Sequence, residues 1–263
     1  MNQLNQHKRN ILFIVLGSFF IANAIIAEFI GVKIFSLEQT IGFEPLNLMI
    51  FGYDLSFNMT AGVLLWPFVF VMTDIINEYF GFKAVRFFSY LASALIAYAF
   101  ATVYGAIKLT PANFWLIRET TTGPINMQVA YQQIFGQGLW IIAGSLTAFL
   151  IGQFVDVFVF HYLKKKTGND MLWLRATGST LVSQLIDSFV VLFVAFYIGA
   201  GFEFKLVLAI GLVNYVYKFT VAFLLTPLLY LIHGLIDLYL GKEFAEELMA
   251  EAHKSYDTNK DVV

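Results

Sequence analysis

The chain has 263 residues, 59% of them hydrophobic and 13% charged, with 29 Phe, 13 Tyr and a mean hydropathy of +0.73. Soluble domains are about 45–50% apolar and about 25% charged, so a water-soluble globular enzyme is excluded and a lipid bilayer is the expected solvent. The net charge of −2 offers no basic surface for nucleic acid, the absence of cysteine removes disulfides and thiolate chemistry, and no G-x-x-x-x-G-K-[ST] motif is present.

In chain order, apolar runs of spanning length lie near 11–35, 58–80, 84–104, 137–161, 177–200 and 206–232. They predict an all-α integral membrane protein of six transmembrane helices. The organisation is an N-terminal tail over 1–10, a six-helix domain over 11–232, and a C-terminal helix and tail over 233–263. Lys8, Arg9, Lys83, Arg86, Lys164, Lys165, Lys166, Arg175, Lys242, Lys254 and Lys260 then share one side, and only Lys108, Arg118 and Lys205 lie in loops opposite. The positive-inside rule puts both termini in the cytoplasm, in the pattern of a multi-pass protein of the bacterial inner membrane. Lys8, Arg9 and the small-x-small Ala22-Asn23-Ala24 also fit a signal peptide, but the apolar run continues to Phe35, beyond signal length.

Residues 36–57 are predicted to form a hairpin or re-entrant cap around Gly52-Tyr53-Asp54, and Met127 to Phe135 an interfacial helix. The Glu-rich segment from Lys242 to His253 reads as a solvated cytoplasmic helix. Gly144, Ala148 and Gly152 make a small-residue ridge suited to close helix contact, and Pro67 is expected to bend the second span.

Charged groups at membrane depth are costly and therefore informative. Asp74, Asn77 and Glu78 share one helical face near the cytoplasmic end and are candidates for gating or coupling, although Glu78 paired with Lys83 or Arg86 would simply mark the boundary. Gln153 with Asp156 and Gln184 with Asp187 each place an amide beside a carboxylate, a donor–acceptor pair able to read a flat polar heterocycle. Asp156 lies towards Lys164 to Lys166 and is expected at the interface. Asp187 and Lys218 fall near mid-depth, lining a pathway or joined in an ion pair that only holds helices together. Asn214 shares the Lys218 face, and Asn23 is preferred to Glu28 as the first span's cavity residue. The four His lie at span ends or in tails and no nucleophile elbow is present, so neither enzyme activity, nor a metal site, nor a cofactor is expected.

Ala61-Gly62-Val63-Leu64-Leu65-Trp66-Pro67-Phe68 and Thr73-Asp74-Ile75-Ile76-Asn77-Glu78-Tyr79-Phe80-Gly81-Phe82-Lys83-Ala84 resemble the queuosine precursor transporters of the vitamin uptake transporter group. Gln153 to Phe158 and Ser183 to Ser188 follow in matching order, and the likeness covers roughly 11–232. It implies an importer of 7-deazaguanine bases for tRNA modification, such as 7-cyano-7-deazaguanine, its aminomethyl relative or queuine. Asp187, Gln184, Asn214, Lys218, Asn23, Gln153 and Asp156 are then the substrate-binding candidates. Partners are a purine-like small molecule and the lipid bilayer, with a homo-oligomer left open. Related substrate-binding subunits of energy-coupling-factor transporters carry an Ala-x-x-x-Ala motif on the first helix. Here Ser18-x-x-x-Ala22 and Ala27-x-x-x-Gly31 stand instead, which favours a stand-alone carrier over one served by a separate ATPase, with protons as the available coupling ion because a buried Asp can titrate above its reference value. The alternatives are a binding subunit for another flat vitamin and a non-transporting scaffold.

Overall fold

The computed structural model describes residues 3–121, 123–136, 139–167 and 171–260, with the side chains of 139, 172–173, 175–176 and 253–260 outside the description. The charge bias expected from Arg175, Lys254 and Lys260 rests on side chains outside the described residues. Helix α1 (Gln3–Ile30) runs unbroken through Ala22 to Ala24. A loop cap follows, made of β1 (Ile34–Ser36), α2 (Leu37–Thr40), β2 (Leu48–Ile50), β3 (Tyr53–Leu55) and β4 (Asn58–Thr60). The cap leads through a 3-10 turn (Ala61–Leu64) into α3 (Trp66–Ile107). Next come α4 (Asn113–Leu116), the hairpin β5 (Ile117–Thr120) and β6 (Gly123–Asn126), and α5 (Met127–Phe135). The chain ends with α6 (Leu139–Thr167), α7 (Leu172–Leu192), a π-helical extension (Phe193–Ile198), α8 (Phe204–Leu240) and α9 (Lys242–Lys260).

Five helical stretches among the described residues are long and apolar enough to cross a bilayer. The second, which includes α3, cannot be one crossing: 42 residues at ~1.5 Å each would span roughly twice the ~30 Å hydrocarbon core. Gly81 breaks it, with φ 75° and ψ 179°, a conformation that essentially only glycine adopts. The chain reverses there. Phe13 of α1 packs on both Phe80 and Phe88, while farther along α1 the Phe29 ring stacks on Phe100 and Ala27 lies against Gly62. The segments before and after Gly81 are therefore antiparallel arms, both against α1.

Large apolar side chains cover the outside, Ile14, Phe223, Leu224 and Leu238 among them, while carboxylates and amides are buried. That inverts the usual soluble arrangement and fits a lipid surround. The ridge on α6 does what its small residues permit. A Cβ at Gly144 would stand 3.1 Å from the Val191 carbonyl oxygen and 3.2 Å from the Ala195 amide nitrogen, so α6 and α7 approach almost backbone to backbone.

Three expectations need correcting. Pro67 does not bend a span: it sits in the first turn of α3, where its missing N–H costs nothing. Helix α9 is not fully solvated, because Phe244, Ala245 and Leu248 bury their side chains in the bundle core while Glu243, Glu246 and Glu247 stay in water. Helix α8 continues past 232 to Leu240, which brings His233 and Asp237 into the bundle.

The cap holds the hairpin expected around Gly52. Strands β2 and β3 pair Leu48 with Leu55 and Ile50 with Tyr53 across Phe51 and Gly52, both at positive φ, the geometry whose twist suits a two-residue hairpin. Helix α5 starts at an Asn126 side chain that accepts the Val129 amide.

Candidate substrate-binding site

The site begins with a polar stripe on α7. Ser179, Thr180, Ser183, Gln184, Asp187 and Ser188 are all buried, whereas Val182 and Leu185 face outward. Hydroxyls and an amide on the inner face of a helix in lipid need partners, since each unpaired polar group costs several kcal/mol in hydrocarbon. Most partners come from α3 and α6.

Along α6, successive side chains reach other helices. Half-buried Ser145 donates to Glu28 of α1, and Gln153 Oε1 accepts from Thr73 Oγ1 at 2.6 Å. Asp156 Oδ1 accepts from Ser183 Oγ at 3.0 Å. His161 Nε2 lies 3.0 Å from Asn77 Oδ1, and Lys164 Nζ donates to Glu78 Oε1 at 2.9 Å. From Ser145 to Lys164 is 19 residues, or ~28 Å along the axis, close to the thickness of the hydrocarbon core. A polar column therefore runs the depth of the apolar bundle.

Asp74, on the first arm of α3, accepts from Ser179 Oγ at 3.4 Å and Thr180 Oγ1 at 3.3 Å. Lys218 of α8 donates to Asp187 in a buried ion pair. Removing one partner from such a pair costs about 3–5 kcal/mol, because the other charge is left unpaired in a dry interior. Beside the column, fully buried Tyr79 donates to Asp237 Oδ1 at 2.7 Å and contacts His233 Nδ1 at 3.1 Å, tying α3 to the end of α8.

The structure relocates several side chains. Asp156 is not at the interface; it is completely buried, since α7 covers the face it occupies. Glu78 does not mark the boundary with Lys83 or Arg86 but is buried against Lys164, which belongs to the column rather than only to the basic cluster. On α1, Asn23 donates its amide to the Phe19 carbonyl in its own helix, at 2.8 Å, whereas Glu28 reaches α6 and lies within electrostatic range of Asp187. Asn214 is half-buried one turn before Lys218. Sequence reasoning ranked Glu28 low and passed over Thr73, Ser183 and His161, whose types are common at span ends and in helix interiors. The available signal was their spacing of three or four residues from Asn77, Asp187 and Lys164, which puts each on a shared helical face.

Some polar atoms in the column stay open. Both amide atoms of Gln184, Gln153 Nε2, Asp156 Oδ2 and Ser188 Oγ have no hydrogen-bond partner among the described residues, although each is buried. A cleft between the first arm of α3, α7 and α8 holds about 270 Å³ of empty volume, its open mouth included. Asp74, Thr180 and Thr226 stand on its wall among apolar side chains such as Val71 and Leu229.

A polytopic helical bundle with paired charges and open amides at membrane depth has the make-up of a membrane transporter. Residues 60–232 match the family described as "Putative vitamin uptake transporter", and the chain belongs to that family. Its relatives include a "Probable queuosine precursor transporter" of Bacillus subtilis strain 168, 31% identical over 226 residues, or 81% of this chain and 93% of the relative. A protein of the same description from Haemophilus influenzae is 26% identical, covering 65% of this chain and 67% of its own length. The "Queuosine precursor transporter" of Escherichia coli K12 is also 26% identical, over 62% of this chain and 67% of its own length. No solved structure matches.

Proposed function

We propose that this protein imports queuosine precursors, 7-deazaguanine bases such as 7-cyano-7-deazaguanine, its aminomethyl relative or queuine, across the bacterial inner membrane. It crosses the membrane six times, with the arms of α3 as separate spans and both termini in the cytoplasm, and works without a separate ATPase by coupling import to protons. The reversal at Gly81 and the excess of Lys and Arg on one side support this topology.

The observation that carries the substrate reading is the set of buried, unpartnered amide atoms on Gln184, one turn from Asp187, and on Gln153, next in sequence to the Gly152 that lies against Asp187. A guanine-like edge presents N–H donors and a carbonyl acceptor in one plane, which matches a carboxylate flanked by amides. Asp187 and Gln184 read that edge, with Lys218 positioning Asp187 and Gln153 and Asn214 supplying further amide contacts. Asn23 is the weakest member, since its amide N–H is committed to its own helix. Asn77 and Glu78, held by His161 and Lys164, close the cytoplasmic end.

Cells unable to synthesise queuosine provide the test. Supplied with the free base at low concentration, cells expressing this chain should recover queuosine in tRNA. Asp187→Asn should abolish recovery while its membrane level stays normal. No recovery with the folded wild-type protein would reject the substrate; full activity of Asp187→Asn would remove Asp187 from the site.

A further inference from the structure

The transporter reading leaves open where a coupling proton would bind, and one pair of side chains stands apart from the rest of the column. Asp74 on α3 and Asp156 on α6 are 4% and 0% exposed and face the same stretch of α7. Both rest on one turn of α7: Ser179 and Thr180 donate to Asp74, and Ser183 to Asp156. Asp156 Oδ2 receives no donor among the described residues.

The neighbouring charges have other commitments. Glu78, one turn farther along α3, pairs with Lys164 of α6, and His161 of α6 contacts Asn77. On the other side, Asp187 of α7 pairs with Lys218 of α8. Two carboxylates gathered on one stretch of helix in a low-dielectric bundle, with no cation paired to either among the described residues, are costly to ionise together, which makes the pair a place where a proton can be held. Gln153, one turn before Asp156 on the same helix, keeps a fully buried amide nitrogen without a partner, so the pair adjoins an open polar group rather than a closed structural network. Asp74 and Thr180 also stand on the wall of the cleft between α3, α7 and α8.

We propose that Asp74 and Asp156 together form the proton-binding site through which import is driven. One proton is taken from the outer face per cycle and released to the cytoplasm, with no electron transfer. Because both carboxyls hydrogen-bond to one turn of α7, a change in proton occupancy alters how α3 and α6 are held against it. Gln184 and Asp187 lie on the next turns of that helix, so occupancy and substrate contact are mechanically linked.

This inference rests on the transporter reading, so its test has a readout that needs no substrate. Infrared difference spectra of the full-length protein in liposomes, recorded across a pH titration, should contain the carbonyl stretch of a protonated carboxylic acid. Asp156→Asn and Asp74→Asn should each remove it, and Asp156→Glu should restore it at a shifted frequency. In proteoliposomes with an imposed proton gradient, wild-type protein should accumulate 7-cyano-7-deazaguanine. Asp156→Asn should lose the response to the gradient, and Asp156→Glu should keep it with a displaced pH profile. A band unaffected by either Asn variant, gradient-driven accumulation that survives both, or accumulation that follows sodium instead would overturn the proposal. If the band behaves as stated but the base is not transported, the proton site stands and the substrate reading alone fails.

Discussion

The carboxylates of the loop cap and those of the polar column are stabilised in different ways. In the cap, Glu38 accepts the Phe57 amide at 2.8 Å and is touched by Ser36. Partial desolvation pushes its pKa up, but the bonds from Phe57, its own amide and Leu46 outweigh this and hold it below the usual value. Tyr53 on the hairpin donates to Glu203 at the start of α8, a bond that raises the phenol's pKa and pins the hairpin. These groups shape a loop with backbone amides and water at hand. In the column there is no water to fall back on, so every charge needs a partner from another helix, and Asp187, Glu78, Asp156 and Asp74 become contacts between helices. The difference separates structural acids from acids that can respond to a ligand.

The column should fail hardest when one charge is stranded. Lys218→Met leaves Asp187 alone and should cost about 3–5 kcal/mol, seen as a large fall in thermal unfolding temperature in detergent. Adding Asp187→Leu should recover most of that stability without recovering uptake; recovered uptake would mean the pair is only glue. Tyr79→Phe, which removes a bond to a carboxylate, should cost about 1.5–3 kcal/mol in the same assay. Gly81→Ala forces a Cβ into a conformation reserved for glycine and should cost about 1–3 kcal/mol, and a neutral result would argue against the reversal between the arms of α3.

The cap should respond least, and in one direction with pH. The folded-state pKa of Glu38 is lowered, so its contribution is present above the unfolded-state value and is lost as pH falls through the folded one. Amide exchange at Phe57, corrected for intrinsic rates, should therefore accelerate on acidification. Glu38→Gln should show that faster exchange already at neutral pH and lose the acid dependence.

Much of this was legible before any coordinates. The Gly52 hairpin and the helix from Met127 to Phe135 follow from local rules, because turn chemistry and capping involve neighbours in sequence. The scarcity of charge in the spans singled out Asp74, Asp156, Asp187 and Lys218. Their partners were not legible. Asp156 looked interfacial because Lys164 to Lys166 follow it, yet Lys164 turns to Glu78, a residue 86 positions away. Asn23 was preferred to Glu28 because the two point different ways from α1, but which of them faces the bundle's polar groups was not legible: Asn23 bonds its own helix and Glu28 crosses to Ser145.

By itself, the sequence determined the solvent, the spans and the few polar residues expensive enough to need explaining, because hydropathy and helical period act over short stretches of chain. Only the tertiary structure decided which of those residues meet. Pairing across helices depends on how α3, α6, α7 and α8 rotate and slide to bring small residues together and leave no charge stranded. That condition links positions from 27 to 158 residues apart, and no local pattern encodes it.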